Sequence, residues 1–240
     1  DSGSSRGLGD VYKRQVISII SNGKECKTLK SSESGTLILN QTVFYAESGG
    51  QIGDQGKIFG NDFTFQVNDT KKKGNLILHI GTITEGKINK NDQVKCHINE
   101  ERRNNCRSYH SATHILHQAL RDELGGHVAQ KGSLVSHDKL RFDFSHHLAM
   151  SQNEINAVEL KINKVINKAT DVSTKLMSPE DAIKEGALAL FGEKYTDEVR
   201  VVSIGELNNK TYSIELCGGT HVNNTSEIGK VKLLSESSAA

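Results

Sequence analysis

Short apolar-polar alternations dominate the first hundred residues, and longer helical stripes dominate the rest. Leu37-Ile38-Leu39, Val43-Phe44-Tyr45, Phe63-Thr64-Phe65-Gln66-Val67, Leu76-Ile77-Leu78-His79-Ile80 and Gln93-Val94-Lys95-Cys96-His97-Ile98 read as strands. Several alternate with period two, and Gly, Asn and Asp clusters bound them. Strands this closely spaced, with little helical periodicity, predict a small β-barrel over residues 16–105. The pattern changes near Asn105. Ala112, Ile115, Leu116, Ala119, Leu120 and Leu124 form an apolar stripe that predicts a helix over Ser108–Leu124, stopped by Gly125-Gly126. Lys139-Leu140-Arg141-Phe142-Asp143-Phe144 alternates like a half-buried strand.

Ser151 and Glu154 stand at capping-box spacing ahead of a helix whose one face carries Ile155, Val158, Ile162, Val165 and Ala169. Ser178-Pro179 opens a further helix, because proline is tolerated in a first turn. Glu198–Ile204, Tyr212–Leu216 and Lys230–Leu234 read as strands. Strand and helix without strict alternation predict an α+β fold, with a second domain over 106–240. The first fifteen residues, Asp1 to Gln15, are Ser/Gly-rich and break abruptly to Val16-Ile17-Ser18-Ile19-Ile20, so they read as a tag, linker or translated artefact. The chain stops soon after the last expected strand, which reads as a truncation.

Composition narrows the classes. With 35% hydrophobic and 25% charged residues the chain is an ordinary globular one. A formal charge of +1 gives no global field for nucleic acid, so RNA contact would use local groups. The candidates are Lys71, Lys72 and Lys73, and the trio Arg102, Arg103 and Arg107, each of which also reads as plain solvated surface. The cysteines, Cys26, Cys96, Cys106 and Cys217, form no C-x-x-C pair. No secretory signal is evident, so a reducing, cytoplasmic compartment is expected. No apolar run reaches the ~20 residues a membrane span needs.

The chemistry concentrates in two pairs. His110 and His114 stand at i and i+4 on the expected helix, where side chains share a face about 5–6 Å apart. Cys217 and His221 repeat that spacing with a thiol and an imidazole. Together they offer three imidazoles and one thiol, the number and softness that tetrahedral Zn²⁺ prefers and that Mg²⁺ and Ca²⁺ do not. Either pair alone is commonly incidental. His117 lies three residues beyond His114 with no partner pair nearby and is expected to stay outside the metal set. The H-E-x-x-H protease motif is absent, and Gly49-Gly50-Gln51-Ile52-Gly53 is no P-loop, because no Gly-Lys-Ser/Thr follows.

Several segments in one order carry a resemblance. They are Arg107-Ser108-Tyr109-His110-Ser111-Ala112-Thr113-His114, Gly125-Gly126-His127-Val128-Ala129-Gln130-Lys131-Gly132-Ser133, Leu140-Arg141-Phe142-Asp143-Phe144-Ser145-His146, Ala189-Leu190-Phe191-Gly192-Glu193-Lys194-Tyr195 and Cys217-Gly218-Gly219-Thr220-His221-Val222. They resemble the editing domain of alanyl-tRNA synthetases, and Phe44 to Asp54 is similar to that family's barrel subdomain. The resemblance implies that His110, His114, Cys217 and His221 bind one Zn²⁺. It also implies that Gln130 lines the editing pocket and that Thr113 lies near the bound aminoacyl group; these two are the candidate catalytic residues. The implied reaction is ester hydrolysis of tRNA(Ala) mischarged with serine or glycine, and ATP would serve only a ligase domain outside this chain. No membrane and no obligate protein partner are expected. Thr196 replaces the glycine usual in the family.

Three other readings stand beside this one. They are a free-standing editing hydrolase, a threonyl-type editing domain, and a structural zinc module that binds RNA without catalysis. No Asp or Glu stands out as a general base.

Overall fold

The computed structural model describes residues 14–188 and 197–237. The described chain is sheet-rich α+β and divides into two compact units. The first comprises residues up to Ser48 and Ile52–Arg103; the second comprises Gly49–Gln51 and Asn104 onward.

The first unit is built from eight strands: β1 (Arg14–Ser21), β2 (Lys24–Cys26), β3 (Thr28–Lys30), β4 (Ser34–Leu39), β5 (Gly56–Phe59), β6 (Phe63–Lys73), β7 (Leu76–Asn89) and β8 (Gln93–Ile98). Hydrogen-bonded neighbours run β2, β1, β4, β7, β6, β5, β8, with β3 on β7. Pairing then returns from β8 to β1 through Arg14–Val94 and Gln15–Gln93. Arg14 and Gln15, set aside with the first fifteen residues in the sequence reading, are therefore the opening residues of the sheet.

Two bulges explain why the burial pattern departs from period two. In β1 a register shift between Val16 and Ser18 lets Val16 and Ile19, three apart, both reach the core. In β6 a shift between Val67 and Asp69 lets Thr70 follow Phe63, Phe65 and Val67 inward. Ile19, Leu37, Ile58, Phe65, Ile83 and Ile88 close the core with no exposure.

Val43–Tyr45 is not a strand. Its backbone donors are taken by side chains instead: Phe44 N donates to Thr42 Oγ1 at 3.1 Å and Tyr45 N to an Asp54 oxygen at 2.6 Å. The same Asp54 pairs with Arg103, and both side chains are buried. Arg103 therefore faces inward and does not join a surface RNA patch. Lys71 is paired with Glu47 and, at 3.2 Å, with Asp69.

Helix α1 (Glu100–Leu124) starts eight residues before the predicted start at Ser108. Its first turns read Glu-Glu-Arg-Arg-Asn-Asn, which shows no periodicity. Asn99 caps them by accepting from Arg102 N at 3.0 Å. Gly125, at φ 114°, ends the helix.

In the second unit, β9 (Gln130–Val135) pairs with β10 (Leu140–Phe144), and β11 (Ser173–Met177), β12 (Val199–Leu207) and β13 (Lys210–Leu216) form a second antiparallel sheet. Helix α2 (Gln152–Ile166) opens on the expected reciprocal capping box of Ser151 and Glu154, and α3 (Pro179–Lys184) has proline in its first turn. Ile115, Ala119, Val158, Ile162, Val165, Val202 and Ile204 make the core. Residues 230–234 are not a strand. Side chains of α2 take up their backbone groups: Asn163 bonds both N and O of Val231, and Glu159 accepts from Leu233 N.

Candidate metal centre

Helix α1, the 49–51 segment and the turn after β13 bring four donors together within the second unit. The ligand atoms of His110, His114, Cys217 and His221 all lie within 4.8 Å of one another. Cys217 Sγ is 3.4 Å from His110 Nε2 and 3.3 Å from His221 Nε2. A thiolate and an imidazole on one tetrahedral Zn²⁺ stand about 3.5 Å apart, so these donors need to move little.

Each imidazole is oriented from behind. His110 Nδ1 meets Gln51 Oε1 at 2.7 Å, His114 Nδ1 meets Glu215 Oε2 at 2.8 Å, and His221 Nδ1 meets Ser111 Oγ at 3.2 Å. Gln51 Oε1 also accepts from Thr220 N at 3.0 Å, which fixes it as the carbonyl end of the amide. His110 therefore carries its proton on Nδ1 and turns Nε2 to the cluster, and with a cation bound His114 would do the same, its Nδ1 proton held by Glu215. His114 Nε2 is buried with no hydrogen-bond partner, an arrangement a cation would satisfy.

The turn is shaped to allow this approach. A Cβ on Gly219 would sit 2.0 Å from His110 Cε1, so no other residue fits there without displacing the ligand. Arg200 holds the turn by donating to Cys217 O at 3.1 Å and to Gly219 O, and its own carbonyl accepts from Cys217 N at 3.0 Å. Gly50, at φ 83°, lies against Ser133, and Val135 N donates to Gly50 O at 2.8 Å, which sets Gln51 beneath His110.

The four side chains and Glu215 set one another's charge. Burial alone would raise the Glu215 carboxyl, but His114 and His117 outweigh it and bring it down to about 2. Burial would lower His114, yet Glu215 and Cys217 hold it up at about 10. Burial opposes ionisation of Cys217, but His110 and His114 draw its pKa well below the ordinary thiol value. Burial, reinforced by His110, pushes His221 down to about 3. The donor set thus holds a thiolate, with its proton on His114 between two anions. An entering dication would displace that proton.

The remaining predicted residues fall nearby or apart. Thr113 is buried between His110 and His114 in sequence, and its hydroxyl donates to Tyr109 O at 2.8 Å. Gln130 opens β9, and its amide donates to Ser133 Oγ at 3.3 Å; no described hydrogen bond joins it to the four donors. His117 is outside the four-donor set but does have a partner, since its Nδ1 meets Glu215 Oε1 at 2.9 Å. Sequence reasoning missed Glu215, Gln51, Ser111 and Arg200. Only Glu215 carried a signal, as the acid two residues before Cys217. Ala189–Tyr195 and Thr196 lie outside the described residues.

Residues 9–102 match the family model of class II (A) tRNA synthetases, and residues 199–240 match the second additional domain of threonyl and alanyl tRNA synthetases. Over 231 residues the chain is 48% identical to the alanine–tRNA ligase of Chelativorans sp. (strain BNC1). The chain is an alanine–tRNA ligase homologue. The alignment takes in 94% of this chain and 26% of that ligase, so the homologue spans about a quarter of its relative. Within the alanine–tRNA ligase homology, Cys217, His221, Glu215 and Arg200 all fall in the second-additional-domain match. No helix of the described residues is long and apolar enough to cross a membrane.

Proposed function

We propose that this chain carries the editing hydrolase of an alanine–tRNA ligase, cleaving the ester of serine or glycine wrongly joined to tRNA(Ala). The observation that carries this is the His110–His114–Cys217–His221 cluster, its histidines buried and its cysteine half-buried, two of whose members lie in a domain shared by threonyl and alanyl synthetases. We assign one Zn²⁺ to those four residues and a cytoplasmic site of action to the chain. The return of strand pairing from β8 to β1 supports reading the first unit as a small barrel.

The need for such an activity is physical. A pocket built for alanine discriminates poorly against a group smaller by a methyl or larger by a hydroxyl, so a second site must remove the errors. When bound, zinc supplies a fixed positive charge that orients or polarises an oxygen of the ester. Thr113 has its own proton committed to Tyr109 O, so toward substrate its oxygen acts as an acceptor for the serine hydroxyl. Gln130 holds an amide that cannot take a proton at neutral pH, so it orients and does not act as the base. Glu215 is committed to His114 and His117, and its role is to aim the imidazole.

In deacylation assays at low salt, Ser-tRNA(Ala) is expected to be hydrolysed about 5- to 150-fold faster than Ala-tRNA(Ala). That range corresponds to the ~1–3 kcal/mol cost of a buried polar group that alanine leaves unpaired. Thr113→Val should erode the serine preference with metal content unchanged, while Cys217→Ala should lose both metal and hydrolysis. Folded, metal-loaded protein that releases no serine above background would sink the hydrolase reading. The closure of all four positions by protein donors would then favour a structural metal module that binds RNA.

A further inference from the structure

Glu215 on β13 has a second imidazole partner that is not one of the four donors. While Oε2 meets His114 Nδ1 at 2.8 Å, Oε1 meets His117 Nδ1 at 2.9 Å, and Ser213 Oγ donates to the same Oε1 at 3.4 Å. His117, Ser213 and Glu215 are all buried. His117 stands outside the four-donor set, and its Nε2 is buried with no hydrogen-bond partner among the described residues. We propose that His117 is a positioning residue: it holds the second oxygen of Glu215, so that the carboxylate keeps His114 aimed and Zn²⁺ is bound tightly and in one geometry. This role rests on the zinc assignment made above.

Helical geometry makes the bridge possible. Positions 114 and 117 stand at i and i+3 on α1, so their rings share a face and one carboxylate can span both. The last torsion of a glutamate side chain is broad and roughly two-fold, so a carboxylate held at one oxygen only is free to turn. Fixing both oxygens removes that freedom and leaves Oε2 one direction, toward His114. A buried carboxylate also needs more than one donor to offset its lost hydration, and His117 and Ser213 supply the further two.

The choice of a histidine at this position points the same way. Leucine at 117 would join Ile115, Leu116, Ala119 and Leu120 in burial and leave no polar atom to satisfy. The imidazole instead buries Nε2 unpaired, at the desolvation cost of a hydrogen bond not made. That cost is offset at Nδ1, the atom that meets Glu215. The ring is itself backed by Phe142 on β10, 5.2 Å away between centroids and tilted by 43°, and Phe142 stacks on Phe144 at 6.2 Å. Helix α1 and strands β10 and β13 thus converge behind one carboxylate.

The test is a chelator-competition titration of the intact chain with Zn²⁺. His117→Leu should weaken zinc by about 10-fold, the low end of the range for groups behind a metal ligand. His117→Asn, whose amide N–H stands where Nδ1–H stood, should restore affinity toward wild type. In a Glu215→Gln background His117→Leu should cost little more, because the group it holds is already weakened. With Co²⁺ in place of Zn²⁺, the visible bands that report ligand geometry should change in His117→Leu and return in His117→Asn. Should His117→Leu fail to fold, His117→Met carries the same expectation, since methionine fills irregular space. Wild-type zinc affinity in His117→Leu, a loss that Asn does not rescue, or an equal loss in the Glu215→Gln background overturns the role of His117. A wild-type chain that takes up no zinc overturns the zinc assignment and this role with it.

Discussion

His79 in the first unit and His114 in the second are both buried, at 0% and 7% exposure, yet their hydrogen bonds differ. His79 is satisfied on both sides: Nδ1 donates to Leu37 O at 3.0 Å and Nε2 meets Thr42 Oγ1 at 2.8 Å. Phe44 packs edge-on against its ring at 5.2 Å. Burial drives its pKa down to about 4, so it stays neutral at physiological pH. His114 is aimed by a carboxylate on one side and meets nothing on the other. The first histidine is a packing element that spends its polarity on the backbone. The second keeps one ring nitrogen free of hydrogen bonds and turned toward three other donors. Burial therefore does not distinguish structural from ligand histidines, and neither does an unbonded ring nitrogen alone, since His117 Nε2 is also buried without a partner. What sets His114 apart is that its free nitrogen faces three other donors.

The largest expected effect separates the two units by metal. His114→Ala should abolish stable zinc binding and loosen the second unit, since structural zinc contributes on the order of 10 kcal/mol in small domains. Glu215→Gln, which keeps the shape but weakens the aim on His114, should weaken binding by about 10–100-fold. Metal analysis after dialysis reads both, and full occupancy in His114→Ala would remove it as a ligand.

Next in size is a break confined to the first unit. Asp54→Ala strands the buried Arg103 guanidinium and should cost about 3–5 kcal/mol in urea unfolding, with zinc content unchanged. A loss under about 1 kcal/mol would mean that Arg103 finds water instead.

The third effect is one of pH. The unfolded chain protonates His79 near its ordinary value of 6.5, whereas the folded chain resists until about 4. Below 6.5 the unfolded state binds the extra proton, so stability falls as pH drops through that window and is fully present above it. The loss approaches about 3 kcal/mol, at 1.36 kcal/mol per pH unit. Hydrogen exchange should show β4 and β7 amides losing protection over this range. Constant protection there would show that His79 is not the acid-sensitive group.

The four clustered residues His110, His114, Cys217 and His221 were legible because each pair repeats one helical spacing and the proposed chemistry needs just those side chains. Strands β8 and β10 and the Ser151 cap were legible for a similar reason, since local pattern and local structure coincide. Gln51 was not, because nothing within a glycine-rich run indicates a partner 59 or 169 residues away. The first turns of α1 were hidden by their charge, as Arg103 is buried through an ion pair and not through apolarity. Residues 43–45 and 230–234 show the converse. Their apolar side chains read as strands, but side-chain acceptors and donors elsewhere claimed the backbone.

Gln51 has a consequence for how the protein comes into being on the ribosome. It ties His110 to Thr220, so the centre has no existence until sequence-distant parts of the chain have met. His114 emerges 103 residues before Cys217, an interval of about 5–20 s at ordinary translation speed. For that time the nascent chain shows only an unpaired two-histidine helix face, which holds zinc weakly and is free to hand it on. On the zinc assignment proposed above, metal uptake would come late, after residues 51, 110 and 220 have met, and should report completed folding of the second unit and not its onset.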